Sequence, residues 1–395
     1  ATLNKNLQVA SPLRKVSLTR LEKEVAKLVE AGQPIPDDMK YMAGMTRITH
    51  VFFYPETKDI VIAGPAEGYF VSAGNHIAGI HSGHAVLQLQ DLIVALRAFS
   101  PDGKKTRLIS CSIDPTREGL LRFRDTYTKI KNSGQFRAGM ENQVVQAYKD
   151  SLGLQQITVG GISPKTDFAR VLVEADYRMK LVGMGLEKPA AKVTSFVEKA
   201  NPSSIGKSAL QRWFFQPDYD CVVINDDETA MQLTGDGVKL VGEDETVSAD
   251  GKRVGKGKMN GASKAFCTSF TKNYGKLAKA TPIWAELRNV IDMSVAAAFI
   301  QKANLYSKAD WSLGALGDEK RFPVELYQAP TQVQPIANAY WKNGKFMSPI
   351  AGGVSIQAGV ALNSDRVTVD SKGEINQVRD NIDLSGLSAG QWWWD

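Results

Sequence analysis

Ile109-Ser110-Cys111-Ser112-Ile113, followed by Asp114-Pro115, is the stretch on which the reading of the fold turns. Its apolar residues alternate as on a half-buried strand, and the residues after it carry Leu120, Phe123, Tyr127 and Ile130 on one helical stripe. The pattern recurs. Ile157-Thr158-Val159-Gly160-Gly161-Ile162 precedes Ser163-Pro164 and a stripe of Phe168, Val171, Leu172, Ala175 and Met179. In each copy Asp114 or Ser163 reads as an N-cap, with proline at the first helical position, where its missing N–H costs nothing. Glu118 and Asp167 add negative charge to the first turns, where the helix dipole favours it. Two copies are too few for a repeat architecture. They describe a strand–helix unit used twice within an α+β chain.

Before these units, Leu18, Leu21, Val25, Leu28 and Val29 fall on one face of a helix over residues 18–30. Thr19 and Glu22 have capping-box spacing, and Gly32, Pro34 and Pro36 end the helix. Residues 46–63 read as a β-hairpin around a turn at 55–59, and residues 69–89 as a second pair turning near Gly74-Asn75. Asp91 then reads as the cap of a short helix. A polar run, Asn201-Pro202-Ser203-Ser204, divides the chain into 1–200, an α+β half, and 201–395. The second half opens as a meander of short antiparallel strands over 213–241. Two helices follow in 262–303, broken near Thr281-Pro282, and the second is apolar nearly all round and so reads as buried. Residues 324–369 return to β.

Composition sets broad limits. The 395 residues are 43% hydrophobic and 23% charged, ordinary values for a globular chain that needs neither disulfide nor metal to fold. Cys111, Cys221 and Cys267 are too scattered for a zinc site or a disulfide ladder and read as small buried residues. Residue 1 is Ala, which fits a chain whose signal peptide has been removed. The longest apolar stretch, 283–300, contains Glu286, Arg288 and Asp292 and does not suit a bilayer. The net charge of +6 is unevenly placed. Ten acids and one lysine occupy 218–250; eight bases and no acid occupy 252–279. Such blocks pair within a molecule, pair between copies, or stay solvated. No motif accompanies the basic block that would make it a nucleic-acid surface.

Chemistry-bearing motifs are few. His76, His81 and His84 lie close together, with a spacing that matches no ligand signature; exposed loop histidines are the plainer reading. Residues 201–208 resemble the end of a phosphate loop without its first glycine or its preceding strand, and residues 255–261 miss the dinucleotide pattern by one residue. With four histidines in the chain and no G-x-S-x-G elbow, a Ser–His–Asp site has little to draw on. Asp176 and Arg178 suggest an ion pair, structural or anion-holding. Trp392, Trp393 and Trp394 cannot all face inward on one strand, because alternate side chains point to opposite faces. They are candidate partner-binding residues; the alternative is a tail folded back on its own core.

Gly44-Met45-Thr46-Arg47-Ile48-Thr49-His50-Val51-Phe52-Phe53, the run 64–68, Val86-Leu87-Gln88-Leu89-Gln90-Asp91-Leu92, the run 109–115, and Glu174-Ala175-Asp176-Tyr177-Arg178-Met179-Lys180 together carry a resemblance. With Trp213-Phe214-Phe215 and residues 266–289, they resemble a family of exported proteins of unknown function found in planctomycete bacteria. The resemblance covers residues 15–310. It implies export across the cytoplasmic membrane and brings no known activity, cofactor or catalytic residue. The expectation is therefore a non-catalytic assembly or scaffolding subunit of an exported multiprotein complex or filament, working through protein partners as a homo- or hetero-oligomer. An exported hydrolase or metal-dependent enzyme, and a glycan or small-ligand binder, are the alternatives.

Overall fold

The computed structural model describes residues 5–395 apart from 73–75, 104–105, 107, 134–136, 202–208, 219–220, 248–249, 251–252, 256, 339, 343–344, 348–353, 382–383, 385 and 389. The polar run after Asn201, the phosphate-loop-like residues and the Gly74-Asn75 turn lie outside the described residues. The fold is α+β.

A seven-stranded sheet forms the centre. It joins β1 (Ser11–Ser17), β2 (His50–Tyr54), β3 (Asp59–Ala66), β9 (Val222–Ile224), β10 (Ala230–Leu233), β17 (Thr368–Val369) and β18 (Trp393–Trp394) in the order β17-β9-β10-β2-β3-β1-β18. Among the described residues only the β17–β9 pair is parallel. The β2–β3 hairpin is the one its alternating residues describe, pairing His50 with Ala63 and Tyr54 with Asp59. Strands from before and after residue 201 share this sheet, so the halves 1–200 and 201–395 are interleaved here. Both sheet faces are covered. Val51, Phe53, Ile60 and Ile62 point into the main core, while Phe52, Tyr54, Val61 and Ala63 form a second cluster with Ile375 and Trp394. The period-two alternation of β2 and β3 thus feeds two cores, which is why every residue of β2 is buried.

The two similar units, β6 (Ile109–Asp114) and β7 (Gln155–Gly160), sit side by side in a four-stranded sheet with β13 (Gln332–Val333) and β16 (Val354–Ile356). They run antiparallel, pairing Cys111 with Val159. Between them α4 (Arg117–Asn132) and α5 (Glu141–Leu152) form a helical hairpin with its own small cluster around Phe123 and Tyr148. After β7, α6 (Asp167–Gly183) returns across β6 to the main core. The caps lie elsewhere than the Asp-Pro and Ser-Pro pairs imply. Thr116 caps α4 and Thr166 caps α6, each accepting from the backbone N–H three residues on. The prolines precede the cap and restrict the approach rather than the first turn.

Other local expectations shift in the same way. α1 (Leu18–Glu30) has the expected limits, but Ser17 is its cap, accepting from Arg20 N at 3.2 Å. Glu22 instead accepts from Ala315 N at 2.7 Å, tying α1 to a distant turn. Gln88 occupies the cap position of α3 (Leu89–Ala98), and Asp91 is buried in its first turn. Among the described residues the strands over 213–241 are not a meander. β8 (Ala209–Pro217) pairs with β11 (Val238–Val247) and the β9–β10 hairpin between them joins the seven-stranded sheet, so strands adjacent in sequence separate into two sheets. The helical pair is three helices, α8 (Gly261–Lys272), α9 (Tyr274–Ala280) and α10 (Pro282–Lys302). Asn273 adds a break that no proline announces. α10 is buried from Ile283 to Ile300, as its composition requires.

Candidate functional site

α10 carries charge into the core, where its two buried carboxylates are met by cations, while Arg288 Nε has no hydrogen-bond partner among the described residues. Unpaired, a buried ion would cost several kcal/mol. Asp292 accepts from Arg47 Nε at 2.8 Å, and Arg47 Nη1 also donates to the Gly235 carbonyl at 2.6 Å. Glu286 lies 2.5 Å from His76 Nδ1 through one oxygen and accepts from Arg170 Nη2 at 3.2 Å through the other. Arg170 also donates to Asp167 at 2.6 Å and Glu174 at 2.9 Å. Asp91 completes this group from α3. Burial, then the charge of Asp167, pushes its carboxyl well above the usual range, against the pull of Arg170. Three helices and the loop before β5 (Ile77–Gly79) thus meet in one ionic joint.

His76 and Glu286 make a carboxylate–imidazole contact of the kind found in hydrolytic triads. The hydroxyl across the hairpin does not complete it in this geometry: Ser72 Oγ donates to the His76 carbonyl at 2.9 Å. His81 and His84 play other parts. The His81 backbone N–H donates to Glu67 at 2.7 Å and its side chain is exposed. His84 is half-buried, and burial with the nearby Arg288 guanidinium lowers its pKa. Among the described residues, no group of three or more His, Cys, Asp or Glu side chains is arranged to hold a metal ion.

The remaining sequence candidates are placed as follows. Asp176 and Arg178 are not partners. Two residues apart on α6 they point to different faces, so Asp176 pairs with buried Lys180 at 2.8 Å and Arg178 with Glu187 at 2.6 Å. The oppositely charged blocks meet as backbone, because β11 pairs with β12 (Arg253–Gly255), Glu245 opposite Gly255. The C-terminal tail is folded back on the body. Trp392 enters the main core, Trp394 the second, and Trp393 is half-buried beneath the Arg14 guanidinium, 4.9 Å from its ring. Arg14, itself fully buried, donates to Asp395 at 2.9 Å and to the Ala43 carbonyl at 2.8 Å. Trp392 and Trp394 are therefore buried within the chain, and Trp393 keeps part of its ring at the surface. All three cysteines are buried and free, and burial pushes the Cys221 and Cys267 thiols up to about 12.

The surface feature that sequence reasoning missed is an apolar cleft of about 400 Å³. Its apolar lining includes Val29 at the end of α1, Ile35, Leu89 at the start of α3, and Phe322, Pro323 and Leu326. Gln33, Gln88 and Gln90 offer amides at its edge, and its charged lining residues are Lys40 and Arg321. The far wall is latched. Arg97 Nε donates to the Leu316 carbonyl at 2.7 Å, Nη2 donates to the Phe322 carbonyl at 2.8 Å, and Nη1 pairs with Glu319. Glu319 accepts in turn from Val324 N at 2.8 Å and Glu325 N at 3.0 Å. These backbone bonds and Arg97 hold its carboxyl below the usual range, though burial opposes them. Leu326 stands 74% exposed at the rim. The signal was unreadable in sequence because its walls come from residues near 30, 89 and 322.

The geometry defines an α+β protein with a paired ionic interior and a preformed apolar cleft. Residues 111–196 match the model of a family described as a protein of unknown function, DUF1598. The matched segment runs from β6 through α6 and contains the buried Asp176–Lys180 pair. No curated protein and no solved structure matches the chain. Among the described residues no helix is long and apolar enough to cross a membrane.

Proposed function

We propose that the protein is a non-catalytic assembly subunit that holds an apolar segment of a partner protein in the cleft between α1, α3 and residues 321–326. The observation that carries this is the cleft itself: it is braced in advance by the Arg97–Glu319 latch, and it leaves Leu326 in water unless something covers it. Preformed, mostly apolar hollows of this size with a few polar groups at the edge are the usual binding sites. Its charged lining residues, Lys40 and Arg321, are both cations in exposed pairs with Asp37 and Glu30, so the partner segment is apolar with an acid beside it. The carboxylates of α10 support the same reading, since Asp292 is engaged by Arg47 and Glu286 by His76 and Arg170.

A photo-crosslinking side chain at position 326 tests it in the source cells. The expected result is a protein–protein adduct at 326 and none at Val369, an exposed control on the far sheet edge. No adduct, or equal adducts at both, would sink the proposal. The resemblance to exported planctomycete proteins supports, as part of this proposal, an assembly outside the cytoplasm. Fractionation of the source cells checks that, and recovery in the cytosolic fraction would contradict it.

A further inference from the structure

Arg288 lies early in α10, where that helix meets the loop after β5 and the helix α9. Two hydrogen bonds fix the meeting. Asn289 donates to the Ala85 carbonyl at 3.1 Å, and Tyr274 Oη donates to the Trp284 carbonyl at 2.7 Å. The Arg288 residue is only 6% exposed. Among the described residues its guanidinium has no hydrogen-bond partner at all. Nε is sealed from solvent without one, while Nη1 and Nη2, equally unpartnered, keep contact with solvent. Buried polar groups are nearly always paired, so a guanidinium with every donor unused calls for an explanation.

The acid best placed to serve it is taken. Asp292 stands one helical turn on along α10, the spacing at which a helix pairs an arginine with a carboxylate. Its carboxylate instead accepts from Arg47 Nε at 2.8 Å. Two guanidiniums thus lie near one buried acid, and burial, then the charge of Arg47, lowers the Arg288 pKa. The other acids around it are engaged as well. Asp236 accepts from Gly275 N at 3.2 Å, and Glu67 accepts from His81 N at 2.7 Å, Ser82 N at 3.1 Å and Ser82 Oγ. Two more nitrogen-bearing side chains face the same place. His84 is half-buried, and burial, then Arg288, lowers its pKa; Lys279 acts in the same direction and Glu67 against them. Lys279 is exposed, with no ion pair among the described residues.

We infer that Arg288, His84 and Lys279 bind a phosphate group. The three side chains come from three elements and differ in shape. A guanidinium alone satisfies both oxygens of a carboxylate. A tetrahedral oxyanion has oxygens left over for an imidazole N–H and an ammonium. A neutral imidazole donates its N–H without adding to a charge that is already in surplus. The bound anion supplies the counter-charge that Asp292 gives to Arg47, and so removes the penalty of an uncompensated buried ion. Arginine is also the side chain whose planar fork matches phosphate oxygens.

The test is a titration of the full chain at constant ionic strength with inorganic phosphate, glycerol 3-phosphate and acetate, read by calorimetry and by melting temperature. Phosphate binds saturably and raises the melting temperature, because it binds the folded chain alone; acetate does neither. Tighter binding of the ester identifies the natural ligand as a phosphate monoester, and binding of inorganic phosphate alone identifies it as the free ion. Arg288→Met abolishes the response. Lys279→Ala, a change at the surface, keeps the wild-type melting temperature and weakens binding about threefold. It also keeps the test open should Arg288→Met not fold. Three outcomes overturn the assignment: no saturable response to inorganic phosphate or the ester at millimolar concentration, an equal response to acetate, or a phosphate response unchanged in the variants.

Discussion

At the scale of single residues, the buried charges have opposite consequences for stability. Lys180 and Asp176 are both sealed from solvent, and Lys180 also reaches the Ile113 carbonyl at 3.4 Å. Lys180→Met leaves a buried carboxylate without its cation and should cost about 3–5 kcal/mol in urea unfolding, whereas replacing both members with apolar residues should cost far less. Asp91 lies on the other side of the ledger. Its raised pKa means that folding disfavours its ionised form, a stabilisation present at low pH and lost as pH rises through the folded value. Asp91→Asn should therefore raise the melting temperature at pH 7 and leave it unchanged near pH 3. His50 gives the reverse slope. Burial, then Lys15, lowers its pKa to about 4 from 6.5. Above pH 6.5 the imidazole is neutral folded or unfolded; below it, the unfolded chain takes a proton that the folded chain refuses until about pH 4. Stability should fall by about 3 kcal/mol across that window. In His50→Gln that share of the fall should vanish, as parallel denaturation curves at pH 7 and 4.5 would reveal.

At the scale of elements, close packing makes its own demands. α6 passes over the β8–β11 sheet at Gly183, where an added Cβ would meet the Trp213 ring at 2.5 Å and Phe266 at 2.9 Å. Gly183→Ala should destabilise by about 1–3 kcal/mol despite the better helix propensity of alanine, and thermal unfolding would register the sign. The elements themselves were largely legible. The stripe of α1, the alternation of β2 and β3, and the uniform apolarity of α10 each state one local geometry, and local geometry is what periodicity encodes. Pairing was not legible where it is non-local. Nothing in β8 to β11 says that the inner hairpin belongs with β2, because that choice is made by which core face each strand completes. The caps failed for a related reason: several Ser, Thr and Asp residues stood near each helix start, and tertiary partners selected among them. The apolar cleft is assembled across such distances, so it left no motif.

At the scale of the whole molecule, the C-terminal tail acts as a clasp. β18 closes one edge of the central sheet, Trp392 and Trp394 fill opposite cores, and Asp395 is the counter-charge to buried Arg14. Removing residues 391–395 deletes two buried indoles, each worth about 3–5 kcal/mol, and strands the guanidinium. The truncated chain should lose most of its stability, and hydrogen exchange should show β1 opening first. The clasp leaves the apolar cleft open to contact with other molecules. The most direct measurement is the native mass of the complex recovered from source cells carrying the wild-type protein or Leu326→Arg. The account predicts that the variant folds with an unchanged melting temperature yet is recovered at a smaller mass, without the partner. A variant that is equally stable and still travels in a complex of the wild-type mass would contradict it.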